Sequence, residues 1–473
     1  MSIDGFEPIE FARSFQEFLT SFARLIPPHA NEIGARAARH LGVELSGLPS
    51  YSEKLDPAEH QNLQLAINAK SSERPWELIG LPSDVRNYGG FSLLAFLAGR
   101  FGFGQVSPEY VNLPVAVDET LPCILSGLYL AWQGDHQVLA LVTAGVEHGP
   151  RHGLSVEVVA GDAATVQAFL ADLKVRMAQL NVYRGKLLAY TTSEYGQVVL
   201  TFVRLPVVTR DDIVLPDGDL DAIQLHTVGV SERAHALRAA GQHLKRGLLL
   251  YGPPGTGKTY SIMHLCNLMP GRTTVLLNGP AAMALGRAIA IARSLQPSMV
   301  VLEDVDLIAM ERTRPGMDTN PLLFQLLNEM DGLASDADII FVLTTNRVDL
   351  LEPALASRPG RIDQAIEIDL PDVDGRRKLL ELYLRNVPNT VSSLDLIAQR
   401  ADGSSPAFIK ELVRRAVLAA ADPEGGPGMV TAGHLTAALE GLLQQQTPIA
   451  RAMLGTRPAN DPAQVAITGP GTS

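Results

Sequence analysis

The densest chemistry in the chain lies in thirteen residues, LLLYGPPGTGKTY, from Leu248 to Tyr260. The spacing G-x-x-x-x-G-K-T runs over Gly252, Pro253, Pro254, Gly255, Thr256, Gly257, Lys258 and Thr259, with Tyr260 directly after it. Glycines at 252, 255 and 257 let backbone N–H groups turn inward around a phosphate chain, at the positive N-terminus of a helix starting near Lys258. Lys258 can then reach the β- and γ-phosphates of a nucleotide, and the Thr259 hydroxyl can ligate Mg2+. A second cluster follows an apolar run, Met299 to Leu302, which ends in Glu303 and Asp304. At a strand end beside a phosphate loop, one carboxylate can hold the water shell of a metal while the other takes a proton from an attacking water. A third run, IIFVLTTN, ends in Asn346, whose amide can orient that water or sense the γ-phosphate. Arg358 and Arg361 straddle a Pro-Gly turn, and a planar guanidinium is suited to a γ-phosphoryl group.

These residues need a sheet edge to bring them together, and the pattern supplies one. Strands at 248–251, 273–277, 299–302 and 338–343 alternate with helices from 258, at 280–295 and at 320–331. The alternation predicts an α/β fold, a P-loop parallel sheet with helices on both faces, over residues 207–370. From 371 to 450 only helical patterns occur, a small α-helical lid in which Ser405 and Pro406 form an N-cap and first-turn pair. Residues 451–473 read as a disordered tail.

Residues 1–206 read as an α+β N-terminal domain. Its first 45 residues are helical, with Phe11, Phe15, Phe18 and Phe22 on one face. Residues 46–75, polar and carrying Pro49 and Pro57, read as a loop or linker. Strand-like runs then surround one helix, Asp162 to Leu180, with Asp162 at its N-cap. KLLAYT and GQVVLTFVRL return to strands of the same module. His148 and His152 flank a Gly-Pro turn, but with no Cys or carboxylate cluster beside them they read as loop histidines rather than a metal site.

Composition bounds the rest. A chain of 473 residues is too long for one core and predicts two or three domains. The net charge of −12 and the lack of any Lys/Arg block argue against nucleic acid as a partner. Cys123 and Cys266 lie far apart in apolar stretches and read as buried free thiols. No apolar run is long enough for a membrane span, and MSIDGFEPIEF does not read as a signal peptide, so a cytoplasmic protein is expected.

Residues 245–372 resemble the ATPase core of the AAA family, within the AAA+ superfamily. The segments that carry the resemblance are RGLLLYGPPGTGKT, MVVLEDVDLI, QLLNEMDGL, LTTNRVDLLEPAL, RPGRID and LPDVDGRRKLL. The resemblance implies ATP and Mg2+ as cofactors, and hydrolysis at the interfaces of a self-assembled ring, a homohexamer. Arg358 and Arg361 would reach the neighbour's nucleotide, Asn346 would be the sensor, and the adenine-contacting turn would fall at Thr227 to Gly229. A protein substrate or adaptor would be recruited through the N-terminal domain. Three departures stand out. Glu303-Asp304 reverses the family's usual Asp-Glu, giving Glu303 the metal's water shell and Asp304 the base position. Ala284-Leu285-Gly286 stands where threading members carry an aromatic pore motif. SSPAFIKEL opens the lid helix, with Lys410 as its candidate sensor. The function expected is an oligomeric ATPase that remodels or disassembles protein substrates, chaperone-like. The alternative is a slow-turnover, ATP-gated scaffold or assembly factor. A small-molecule kinase shares only the phosphate loop.

Overall fold

Alternation along the strands explains the first unit, Met1–Val182. The computed structural model describes Glu17 and residues 31–81, 93–98, 106–145, 153–192, 198–306, 321–332, 337–347, 362–421 and 428–444. The phenylalanine-rich N-terminal segment, His148, His152, Arg358, Arg361 and the 451–473 tail lie outside these residues. In chain order the unit contains α1 (Glu32–Leu41), β1 (Ser50–Leu55), α2 (His60–Glu73), β2 (Glu77–Gly80), α3 (Leu93–Ala98), β3 (Glu109–Pro114), β4 (Thr120–Gln133), β5 (His136–Ala144), β6 (Leu154–Ala160) and α4 (Ala163–Gln179). The strands form an antiparallel sheet in the order β1-β6-β5-β4-β2, with β3 also paired to β4. Successive side chains take opposite faces. Tyr129, Ala131, Val138 and Ala140 therefore meet Leu63 and Ile67 of α2 and Phe169 and Leu173 of α4, while Leu128, Leu130, Leu139 and Leu141 meet α1 and α3 through Ile33, Ala37 and Leu97. Asp162 caps α4, its carboxylate accepting from the Thr165 N–H at 2.8 Å.

The stretch expected to be a loop, 46–75, is instead β1 and α2. Its polarity misleads because α2 buries polar side chains that have partners elsewhere in the unit. His60 Nε2 lies 2.8 Å from the Ile124 carbonyl, Gln64 Oε1 accepts from the Ile124 N–H at 2.9 Å, and Lys70 bonds Gln133 and pairs with Asp172.

The second unit, Tyr183–Ser473, is built on β7 (Leu187–Thr192), β8 (Val198–Phe202), β9 (Arg246–Tyr251), β10 (Thr273–Asn278), β11 (Ser298–Glu303), β12 (Ile339–Thr345) and β13 (Gln364–Glu367). Their order is β13-β9-β12-β11-β10-β7-β8, parallel throughout except for the β7–β8 hairpin. Helices α5 (Asp219–His226), α6 (Val228–Glu232), α7 (Ala234–Ala239), α8 (Lys258–Leu268), α9 (Leu285–Ser294) and α10 (Pro321–Asp331) accompany it. One face packs Leu248, Leu250, Met299, Val301, Ile340 and Val342 against Ile223, Ile262 and Leu265. The helices α11 (Val373–Leu384), α12 (Asp395–Arg400), α13 (Pro406–Ala420) and α14 (Ala432–Gln444) enclose a separate core around Leu379, Phe408, Leu412 and Leu435. Ser405 caps α13, accepting from the Phe408 N–H at 3.2 Å, with Pro406 in the first turn.

The boundary expected at 206 therefore falls at 182/183. KLLAYT and GQVVLTF belong to the second sheet: Leu187, Leu188 and Ala189 pair in parallel with Thr274, Val275 and Leu276 of β10. Alternation identifies a strand but not the sheet it joins. Among the described residues no helix is long and apolar enough to cross a membrane.

Candidate active site

The phosphate loop leaves the core strand β9 at Tyr251 and enters α8 at Lys258. Gly252 sits at φ 141°, and a Cβ there would lie 2.2 Å from the Ile368 carbonyl oxygen. Gly255, at φ 75°, carries the carbonyl that accepts the Ala407 N–H of the lid at 3.2 Å, and a Cβ on it would stand 2.8 Å from Ala407 Cβ. These two positions admit no side chain, because the backbone leaving β13 fills the space at Gly252 and the lid side chains of Ala407 and Ser405 fill it at Gly255. Gly257 is the left-handed N-cap of α8, so the first-turn N–H groups point into the loop.

Lys258 is 7% exposed, and its ammonium donates to the carbonyls of Gly252 and Pro253, both at 2.8 Å. Burial pulls its pKa down to about 8, against the opposing charges of Asp304 and Asp306. Thr256 closes the loop by donating to the Pro253 carbonyl at 2.9 Å. The Thr259 hydroxyl donates to Glu303 Oε1 at 2.6 Å.

Strand order brings the carboxylates and Asn346 to the same edge. β12 lies between β9 and β11, with Thr345 level with Tyr251 and Leu343 level with Leu302. Asn346 thus stands next to the start of the phosphate loop on one side and the acidic pair on the other. Its amide Nδ2 donates to Asp304 Oδ1 at 3.0 Å. Asp304 has φ 49°, the left-handed region, and its N–H donates to Thr344 Oγ1 at 3.0 Å. Asp is one of the few non-glycine residues that visit this region readily. The reversed Glu-Asp order therefore matches the backbone: the second acidic position favours Asp, and the longer Glu303 reaches Thr259 directly.

Tyr260, half exposed on α8, lies with its hydroxyl 3.4 Å from Lys410 Nζ of the lid, the ammonium 5.8 Å from its ring centroid. From the segment before β9, Leu215 is the neighbour of Gly257, and Val214 approaches Gly375 at the start of α11. Leu215 packs on the sheet core and Val214 on the lid core.

Residues 248–370 match the family of ATPases associated with various cellular activities (AAA). They form an AAA domain. The chain is 37% identical over 198 residues to the ATP-dependent zinc metalloprotease FtsH of Thermotoga maritima, covering 38% of this chain and 32% of that protein. It is 34% identical over 184 residues to the proteasome-activating nucleotidase of Methanothermobacter thermautotrophicus, covering 36% and 45%. The cell division cycle protein 48 homologue of Archaeoglobus fulgidus is 34% identical over 184 residues, covering 37% and 25%. The chain thus spans between a quarter and about half the length of these relatives.

Within the AAA domain and its flanks, two expected positions are corrected. Thr227 is fully buried, its hydroxyl donating to the Ile223 carbonyl at 2.7 Å and its own carbonyl accepting from Ser231. Gly229 lies in α6, where its carbonyl accepts from Arg233. HTVGV is helical and packed, so no open base-contacting turn exists there. Leu215 lies beside the AAA domain's phosphate loop, with Val214 next to it facing the start of α11, and their only sequence signal is an apolar triad between an acidic pair and a Pro-Asp-Gly turn. Likewise Ala284 and Leu285 face inward, 5% and 0% exposed. The turn Gly279–Ala284 instead exposes Met283. A cavity of about 550 Å³ opens beside Val214 and Leu215 toward Leu382 of α11 and Arg385 just past its end, and no phosphate-loop residue lines it.

Thr259 and Glu303 offer adjacent oxygens at the loop, a donor set suited to a hard cation such as Mg2+. Among the described residues no group of three His, Cys, Asp or Glu could hold a metal alone.

Proposed function

We propose that this chain binds ATP with Mg2+ and hydrolyses it as a ring-forming assembly that remodels protein substrates. The observation that carries the reading is the meeting of Lys258, Thr259, Glu303, Asp304 and Asn346 at one sheet edge. Gly252 to Gly257 wrap the phosphates, and Lys258 exchanges the Gly252 and Pro253 carbonyls for phosphate oxygens. Thr259 would hold the metal directly and Glu303 through water; the ion supplies charge neutralisation at the phosphates. Asp304 accepts the proton of the attacking water, and Asn346 fixes that carboxylate and the water. Tyr260, Val214 and Leu215 provide the surface for the base. Arg358 and Arg361 are assigned to the neighbouring subunit's nucleotide, which makes the ring, a homohexamer, part of the site. Residues before 183 recruit the protein substrate or adaptor. What supports a protein substrate is the likeness to a proteasome-activating nucleotidase and to FtsH.

The test is a pair of variants. Lys258→Ala should abolish nucleotide binding, whereas Arg358→Ala should leave binding intact and remove turnover. Normal turnover by a dilute Arg358→Ala monomer would rule out the ring mechanism. A second reading, a slow ATP-gated scaffold, draws on the inward-facing Ala284 and Leu285. It requires turnover by the assembled protein that no protein partner stimulates.

A further inference from the structure

The tips of β11 and β12 carry a side-chain network that the proposed chemistry leaves unused. The parallel ladder between them ends at Leu302 and Leu343. Beyond it, main-chain groups that have run out of ladder partners find side chains instead. The Asp304 N–H donates to Thr344 Oγ1 at 3.0 Å. The Asn346 N–H donates to Asp306 Oδ1 at 3.1 Å, and the Thr345 hydroxyl donates to the same oxygen at 2.8 Å. The Arg347 N–H in turn donates to Thr345 Oγ1 at 3.0 Å. Asp306 is 4% exposed, Thr344 2% and Thr345 0%.

The arrangement is reciprocal. Asp304, past the end of β11, is held by Thr344 of β12; Asn346, past the end of β12, is held by Asp306 from the β11 side. A buried carboxylate is costly to keep and is retained where it accepts hydrogen bonds. Here the bonds from the Thr345 hydroxyl and the Asn346 N–H go to one oxygen, and both fix the residues at the tip of β12. Asn346 lies just past the last pairs of both β12 ladders, Leu343 with Leu302 and Thr345 with Tyr251, and the Asp306 bond to its N–H sets the direction of its amide toward Asp304.

We propose that Asp306 is a positioning residue for hydrolysis: it clamps the Asn346 main chain and the Thr345 hydroxyl, and thereby presents the Asn346 amide to Asp304 and to the terminal phosphate. Asp306 touches neither water nor nucleotide in this role. The inference rests on the ATPase reading above. Small misplacements of a catalytic amide are expensive, about 100-fold in rate for roughly 1 Å.

The experiment compares the full chain with Asp306→Ala, Asp306→Asn and Thr345→Val, using ATP turnover together with affinities for ADP and for a non-hydrolysable ATP analogue. Asp306→Ala should lower kcat roughly 10- to 100-fold, the size of one lost charge-assisted hydrogen bond felt in the transition state. Measured at pH 6, where Lys258 stays protonated even without the nearby Asp306 charge, its ADP affinity should stay within about twofold, while its preference for the analogue over ADP falls. Asp306→Asn keeps an acceptor oxygen in the same place and should recover most of both. Thr345→Val should move both in the same direction as Asp306→Ala, and it carries the test if the alanine variant does not fold. Wild-type kcat and analogue preference in Asp306→Ala, or an Asn variant as impaired as Ala, overturns the proposal. If the unaltered chain binds both nucleotides without hydrolysing ATP, the ATPase reading fails, and the analogue preference still decides the clamp.

Discussion

Lys258 sets a pH dependence for nucleotide binding whose sign and size follow from its burial. In the free chain its ammonium is desolvated and answered by the Gly252 and Pro253 carbonyls, and its pKa falls from 10.5 to about 8. That drop corresponds to roughly 3 kcal/mol of preference for the neutral form. Phosphate oxygens placed against it restore the preference for the charged form. Above pH 8 binding must therefore take up a proton. With a free-state pKa of about 8, only about one site in eleven is protonated at pH 9, so affinity should fall about 10-fold between pH 7 and pH 9. Isothermal titration calorimetry at pH 9 in two buffers of different ionisation enthalpy should give different heats, and at pH 7 the same heat. The free protein moves the other way. Its folded-state pKa lies below the unfolded value, so the unfolded chain binds more protons between about pH 8 and 10.5, and this residue's contribution to stability rises across that window. Lys258→Met should remove this rise and increase the thermal stability of the nucleotide-free chain at pH 7. Flat affinity from pH 7 to 9.5 with buffer-independent heats would refute the reasoning.

Two further outcomes follow from the backbone. A chain beginning at Tyr183 should remain soluble and bind nucleotide, whereas one beginning at Val207 loses the β7–β8 hairpin and bares the edge of β10. The shorter chain should aggregate, as exposed parallel edges do, and size-exclusion chromatography of the two distinguishes them. Restoring the common acidic order with Glu303→Asp plus Asp304→Glu should lower turnover and stability, because glutamate at φ 49° costs about 1–2 kcal/mol and aspartate no longer spans to Thr259. Steady-state kcat and thermal melting read this directly, and a faster, equally stable double variant would show that the backbone at 304 is not constrained.

The parts of the fold legible in the sequence are those whose signal is local. Gly252 to Thr259 declares itself because the phosphate loop's spacing and its strand-to-helix setting occupy one continuous segment. Leu248 to Tyr251, Met299 to Leu302 and Ile339 to Leu343 are apolar runs that only a sheet covered on both faces can bury. The misreadings have a common cause. His60, Gln64 and Lys70 look like loop residues until Ile124, Gln133 and Asp172 arrive to satisfy them. KLLAYT is a strand under either domain boundary, and its allegiance is decided by parallel pairing with Thr274 to Leu276, which lie more than eighty residues later.

The site divides in the same way. Lys258, Glu303, Asp304 and Asn346 were visible because each stands at the end of an apolar strand or in the loop itself. Their arrangement was not, because it depends on bonds between strand tips that have no sequence periodicity. A reader of EDVD sees two acids and then a third; nothing in that string says that Asp304 leaves the strand with a left-handed turn. Nor does it say that Asp306 turns back to grip the neighbouring strand. The same holds for Ala284 and Leu285, placed by the motif at a pore and by packing in the core, with Met283 exposed instead. Motif spacing identifies which groups take part in the chemistry, whereas the pairing of the strand tips decides which way each group points. The reversed order of Glu303 and Asp304 should therefore be judged by the backbone that holds it rather than by the side-chain lengths alone.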